Sequence, residues 1–267
     1  LPRIFTDSIH HPAENFKQKG GAAANLCSRK KAFVKIKHKE NHTMTIGVVA
    51  AMQCEADILL GDLDIAACET RCGKPVYTGK AYGKDIALVV SGVGKVNAAI
   101  GAQMLIDIYH AHVLVNFGVA GGIRENTEIT KVYQIAEAVQ YDFDLSGPNG
   151  TRIGTLDEFQ ENFLPLAVLP DDILPARRLA TGDRFNDDPD DFFLIRDYMD
   201  ADIRDMEGGA VAQAAVHAGV PCYMWKAVSD KSGSGSSFEQ YTQNKRLALE
   251  NLHGLLPVLF ARLKTEN

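Results

Sequence analysis

No stretch of this sequence stays apolar for the roughly 20 residues that a helix needs to cross a bilayer. The N-terminus also lacks the continuous apolar segment and small-residue cleavage site of a secretory signal. Cysteine is scarce and scattered: Cys27, Cys54, Cys68, Cys72 and Cys222 are odd in number, which does not suit a disulfide framework. Cys68 and Cys72 stand four apart, yet no second Cys or His pair follows at zinc-site spacing. Reduced thiols in a cytoplasmic protein are the expectation. A phosphate-loop signature is missing as well, and no His/Cys/Asp cluster has ligand spacing, so neither a metal nor an organic cofactor is implied.

Positive charge is in short supply beyond the first 43 residues. Residues 1–43 hold nine Lys/Arg against three Asp/Glu, whereas the rest of the chain holds 19 against 31. An acidic body argues against a nucleic-acid partner, whose phosphates want a basic face. The basic leader, containing "KQKGGAAANLCSRKK", has no periodicity and stops just before Met44, where "MTIGVVAAM" starts like a first strand. Residues 1–43 are therefore expected to be a non-native or disordered leader, and 44–267 the functional domain. What is present is ordinary for a globular protein: 46% apolar and 23% charged residues over 267 positions, enough to bury a large core.

From Met44 the pattern alternates strands and helices. Residues 45–52, "TIGVVAAM", form a short run apolar on both faces, as in a buried central strand. Residues 75–94 read as a hairpin turning at Tyr82-Gly83-Lys84, and 95–110 carry apolar residues at helical spacing. Strands are expected at 112–122, 134–145 and 220–230, a strand and then a turn over 176–186, and a loop-rich cover over 146–176. Residues 209–219 form an alanine-rich helix ended by Gly219, and 238–263 a long amphipathic helix that Pro257 is expected to kink. No internal repeat or interdomain linker interrupts this order. The fold class is a single α/β domain with a mixed central β-sheet flanked by helices.

Three acids recur just beyond buried runs: Glu55 after "GVVAAMQC", Glu207 after "DADIRDM", and Asp230 at the end of "MWKAV". Taken singly, each fits a helix start, where the dipole favours negative charge. Together with glycine turns in "SGVGK" and "FGVAGG" they suggest one crevice at the carboxyl ends of the strands, where open α/β sheets bind ligands. Carboxyls around such a crevice suit proton transfer and hydroxyl binding.

In order, "IGVVAAMQCE", "SGVGKVNAA", "NFGVAGG", "ATGDRFN", "DMEGGAVA" and "AVSDKSG" resemble the nucleoside phosphorylase superfamily, and most of all its 5′-methylthioadenosine/S-adenosylhomocysteine nucleosidases. The resemblance covers nearly everything from Met44 to the C-terminus, making 44–267 a nucleoside phosphorylase-like catalytic domain. It implies that Asp230, held by Ser229, protonates N7 of the leaving purine. It implies that Glu55 activates water at the anomeric carbon, and that Glu207, beside Met206, binds the ribose hydroxyls. Phe185 would stack on the purine, with the backbone around Asn186 reading its edge. Met52 and Phe238 would line the apolar pocket for a 5′-alkylthio group, although packing is the plainer reading of both. The "SGSGSS" run would be a flap, and the molecule a homodimer.

A phosphorolytic enzyme needs cations for phosphate, and arginine is the usual choice. Where the resembling hexameric phosphorylases place that arginine this chain has Asn116, and Val119 stands where a phosphate-binding serine would be. Water is then the expected nucleophile. The nucleosidases commonly carry serine at the position of Val119 and arginine at that of Lys226, both near water and ribose, so the chain departs from them there. Arg184 either favours a substrate with a negative group or pairs with the acidic "DDPDD" of residues 187–191, which by itself reads as a solvated turn. The alternatives are a nucleosidase or phosphorylase for inosine, adenosine or a futalosine-like compound, and a non-catalytic nucleoside-binding or storage protein.

Overall fold

The structure, a computed structural model, describes residues 44–170 and 172–263. The basic leader 1–43 lies outside the described residues.

The first strand, β1 (Thr45–Ala50), is buried along nearly its whole length, as its β-branched run predicts. It sits between β4 (Lys84–Val90) and β5 (Ala111–Gly122) and is parallel to both. The hairpin forms as expected, with β3 (Lys74–Ala81) antiparallel to β4. Beyond β3 the sheet gains an edge strand, β2 (Asp64–Arg71), which the sequence pattern does not announce because most of its residues are exposed or half-buried.

On the other side of β1 the sheet closes on itself. Strand β5 pairs with β10 (Cys222–Lys231), β10 with β6 (Val132–Gln140), and β6 with β8 (Ala176–Thr181). β8 then pairs with β9 (Ile203–Asp205), which returns to β5. The long strand β5 thus belongs to both the open sheet and the ring. β6 stops at Gln140, earlier than the expected 145, and the 146–176 cover contains a helical turn, α3 (Ser146–Asn149), and a two-residue strand, β7 (Leu164–Pro165).

Helices cover the sheet. α1 (Gln53–Leu60) follows β1, and α2 (Lys95–Tyr109) packs Ala98, Ala102 and Leu105 into one apolar cluster with Ala210 and Val211 of α5 (Gly208–Ala218). Gly101 lets α2 lie close over the end of β4, since a Cβ there would lie 3.2 Å from the Val89 and Ser91 side chains. α6 (Ser237–Arg262) buries Leu252, Leu256, Leu259 and Phe260, the last edge-on to Trp225 at 5.6 Å. This helix runs on through Pro257 rather than ending there. The "DDPDD" segment is exposed from Asp187 to Asp190, as a solvated segment should be, but Asp188 caps a short helix, α4 (Pro189–Phe193), and Asp191 is buried.

Candidate active site

The carboxyl ends of β1, β4, β5, β8, β9 and β10 meet at one side of the sheet, and the chemistry-bearing residues gather there. A cavity of about 390 Å³ is lined by Met52, Glu55, Val119, Phe185, Met206, Glu207, Ser229, Asp230 and Phe238 among others.

Glu55 combines the structural and the functional reading. It occupies the third position of α1, and its Oε2 accepts from the backbone N–H of Ala51 (3.1 Å) and Met52 (3.0 Å), closing the helix start. Its Oε1 reaches β5 and accepts from Val119 N–H at 2.9 Å. Burial pushes this carboxyl above its usual range, opposed by the Lys226 charge and the three N–H donors.

Glu207 stands at the start of α5 and accepts from Gly94 N–H at 2.9 Å, a donor presented by the glycine turn after β4. Gly94 has φ of 100°, a backbone conformation that glycine tolerates best. Burial, and after it the neighbouring Asp205 charge, raise the Glu207 carboxyl to about 7 against the pull of Lys226. Asp205 accepts from Thr181 Oγ1 (2.6 Å), from Gly208 N–H (2.8 Å) and from Lys226 Nζ (2.8 Å). Lys226 is buried; burial alone would depress its ammonium, but Asp205, Glu207 and Glu55 outweigh that and raise it. It sits beneath the cavity floor as a shared counter-charge and is not among the lining residues.

Asp230 is buried near the end of β10, just after the register slip that lets Ser229 bulge against β5. Ser229 Oγ donates to Asp230 Oδ1 at 2.8 Å, while Oδ2 is buried without a hydrogen-bond partner. Burial raises the Asp230 carboxyl, opposed by the Ser229 hydrogen bond and the charge of Arg204.

Apolar groups close the remaining walls. Phe185 stands edge-on to Tyr241, ring centroids 5.7 Å apart, and Tyr241 Oη donates to Met52 Sδ at 3.5 Å. Asn186 turns its amide to Asp191 (2.8 Å) instead of lining the cavity. Arg184 lines the cavity and also pairs with Asp191 at 3.0 Å, so the ion-pair alternative for it is realised. The serine-glycine segment is anchored at both ends, with Ser232 and Ser237 buried and Ser237 N–H donating to Asp187 Oδ2 at 3.1 Å. Asn116 is buried and donates to Val49 O at 2.9 Å.

Asp205, Arg204 and Tyr241 line the cavity without having been singled out in the sequence. Tyr241 lies three positions after Phe238 on the same helix face, a spacing that would have found it. Asp205 and Arg204 left no such sign. A larger cleft of about 750 Å³ runs between Ile123 and Ser234, but none of the three acids reaches it.

A mixed sheet whose strand ends converge on buried acids beneath an aromatic wall defines an α/β enzyme that works on a small molecule with an apolar ring and hydroxyl groups. The chain belongs to the phosphorylase superfamily, whose family model matches residues 45–260. It is 30% identical over 219 residues to a 5′-methylthioadenosine/S-adenosylhomocysteine nucleosidase of Maridesulfovibrio salexigens, covering 78% of this chain and 95% of that one. An S-adenosylhomocysteine nucleosidase of Streptococcus pyogenes, solved with 5-methylthiotubericidin, superposes with a TM-score of 0.72 at 26% identity, covering 83% and 99% of the two chains. A futalosine hydrolase of Helicobacter pylori gives 0.77 at 21% identity, again over 83% and 99%, and shares the fold.

Proposed function

We propose that this chain hydrolyses the N-glycosidic bond of 5′-methylthioadenosine or S-adenosylhomocysteine, releasing adenine and the thioribose. The observation that carries the reading is the convergence of Glu55, Glu207 and Asp230, from three different strand ends, on one cavity walled by Met52, Phe185, Phe238 and Tyr241. Phe185 offers a ring face to the purine, and the two ionised oxygens of Glu207 can accept from two ribose hydroxyls. Met52 and Phe238 face the 5′-alkylthio group.

In the step itself, Asp230 gives its Oδ2 proton to N7 as the bond from C1′ to N9 breaks and its electron pair moves into the base. Water bonds to C1′ and loses a proton to Glu55. Positive charge builds on the sugar and negative charge on the base, so a carboxylate near one and an acid at the other stabilise the transition state rather than the substrate. Water is favoured over phosphate because the place near Val119 offers an apolar side chain, the Asn116 amide is spent on Val49, and Lys226 is already paired with Asp205. Lys226 acts on the reaction from behind, through the charges of Glu55 and Glu207.

A homodimer fits the surface beside the site. Val93, on the cavity wall, and Val96 and Ile100, one turn apart on α2, are 46%, 71% and 42% exposed, apolar groups that suit packing against a second copy.

The reaction is tested by chromatography of 5′-methylthioadenosine incubated with the protein in buffer without and with phosphate. Adenine and free methylthioribose in both buffers support the proposal. A sugar 1-phosphate formed with phosphate alone makes the protein a phosphorylase.

A further inference from the structure

Arg204 is a cation that neither the core nor the reaction just described uses. It lies on β9, is 6% exposed, and lines the nucleoside cavity. A buried guanidinium is ordinarily paired with a carboxylate, because an isolated buried charge is costly. Its sequence neighbour Asp205 is taken by Lys226. The hydrogen bond that Arg204 makes from its side chain runs from Nη2 to the neutral Ser237 Oγ at 3.3 Å.

Across the bare backbone of Gly121, Arg204 faces Asp230. A Cβ at that glycine would stand 3.2 Å from Arg204 Nε and 2.9 Å from Asp230 Oδ2. Oδ2 is the oxygen left without a hydrogen-bond partner. A buried cation and a buried acid therefore flank one gap without bonding to each other.

We infer that Arg204 is a positioning residue for the acid: its unpaired charge stabilises the Asp230 carboxylate that forms when the proton leaves for the purine. The inference rests on Asp230 being the proton donor. Before transfer the cation faces a neutral carboxyl and gains little. After transfer it faces a full negative charge at a buried position, where the attraction is stronger than in water. The stabilisation thus grows along the reaction instead of being spent on substrate binding. In the resting state burial raises the Asp230 carboxyl, while the Ser229 hydrogen bond and then the Arg204 charge lower it. The other groups facing Asp230 are Ser229 on its own strand, Ser237 at the start of α6, and Asp187 in the loop before α4, whose charge acts in the same direction as burial.

The test compares Arg204→Met, which removes the charge, with Arg204→Lys, which keeps it. Nucleoside cleavage is followed across pH, and the Asp230 carboxyl is titrated by carbon NMR after assignment through its loss in Asp230→Asn. In Arg204→Met, kcat should fall about tenfold or more while KM changes little. Without the cation Asp230 is a weaker acid, so the basic limb of the pH profile and the carboxyl titration should both move to higher pH. Arg204→Lys should keep both near their wild-type positions. If the methionine variant does not fold, Arg204→Gln, neutral yet able to bond Ser237, replaces it. An Asp230 titration unmoved by removal of the charge overturns the inference, as does a fall in kcat with an unmoved limb. If the wild type cleaves no purine nucleoside, the proposed reaction fails by itself, and the carboxyl titration still decides whether the two groups are coupled.

Discussion

The Glu55 carboxylate fills the space that a side chain at residue 118 would need: a Cβ on Gly118 would lie 2.3 Å from Glu55 Oε1. Gly118 sits in the middle of β5, where its ordinary role would be to weaken a strand. Its value is the close approach it grants to an acid from the neighbouring helix.

Gly118→Ala should therefore displace Glu55 and break its bond to Val119 N–H. A misplacement of about 1 Å at a reacting group can cost on the order of 100-fold. The kcat of Gly118→Ala should fall on that scale while circular dichroism stays native. Wild-type kcat in the alanine variant would show that Glu55 need not stand where it does.

Asp230→Asn keeps size and burial but cannot deliver a proton. Cleavage should fall about 100- to 10,000-fold, the usual range for a positioned acid, with thermal stability retained. Adenine release measured on single turnover decides it, and an active Asp230→Asn protein would remove Asp230 from the mechanism.

Lys226→Met should harm both stability and chemistry. It strands the buried Asp205 carboxylate, and breaking a buried pair from one side costs about 3–5 kcal/mol, read as a lowered denaturant midpoint. It also removes the charge that restrains the Glu55 and Glu207 carboxyls, so both should rise further. The acid limb of the activity profile should then shift to higher pH; an unmoved limb would confine Lys226 to a structural part.

Glu207 gives a pH dependence whose sign can be worked out. Its carboxyl is held up to about 7, above an unfolded glutamate at about 4.3. The stability it contributes is complete below the unfolded value and is lost as pH rises through about 7. Calorimetry should show the ligand-free wild type losing, on the order of, 2 kcal/mol more between pH 5 and 8 than Glu207→Gln. Nucleoside binding should run the opposite way, tightening as the carboxyl ionises to accept the ribose hydroxyls. Equal pH curves for the two proteins would contradict both expectations.

The elements that could be read from the sequence are those with an unambiguous period or punctuation. The buried run of β1, the hairpin at Gly83, α2, α5 with Gly219 behind it, and α6 all carry such marks. Edge strand β2, three-residue β9 and the short helix at 189–193 carry none, because little apolar surface or length distinguishes them from loops. Of the site, Glu55 and Asp230 were visible because each follows an apolar run, whereas Glu207 stood out through the motif "DMEGGAVA" alone. The roles of Asp205 and Lys226 depend on a contact between β9 and β10, strands that do not pair with each other. Such a contact is set by how the ring closes, which residue order along one strand does not encode. Glu55 shows that the helix-start reading and the cavity reading were never rivals, since one carboxylate performs both.

Four buried acids, Glu55, Asp205, Glu207 and Asp230, meet two buried bases, Lys226 and Arg204, around the same small volume. The cavity is in this sense a trap for positive charge. A ribose-sized molecule carrying a ring cation would relieve the crowding, and it should protect the protein against heat more strongly at pH 8 than at pH 6. The same electrostatic imbalance that burdens the fold becomes selectivity for whatever carries a fleeting positive charge.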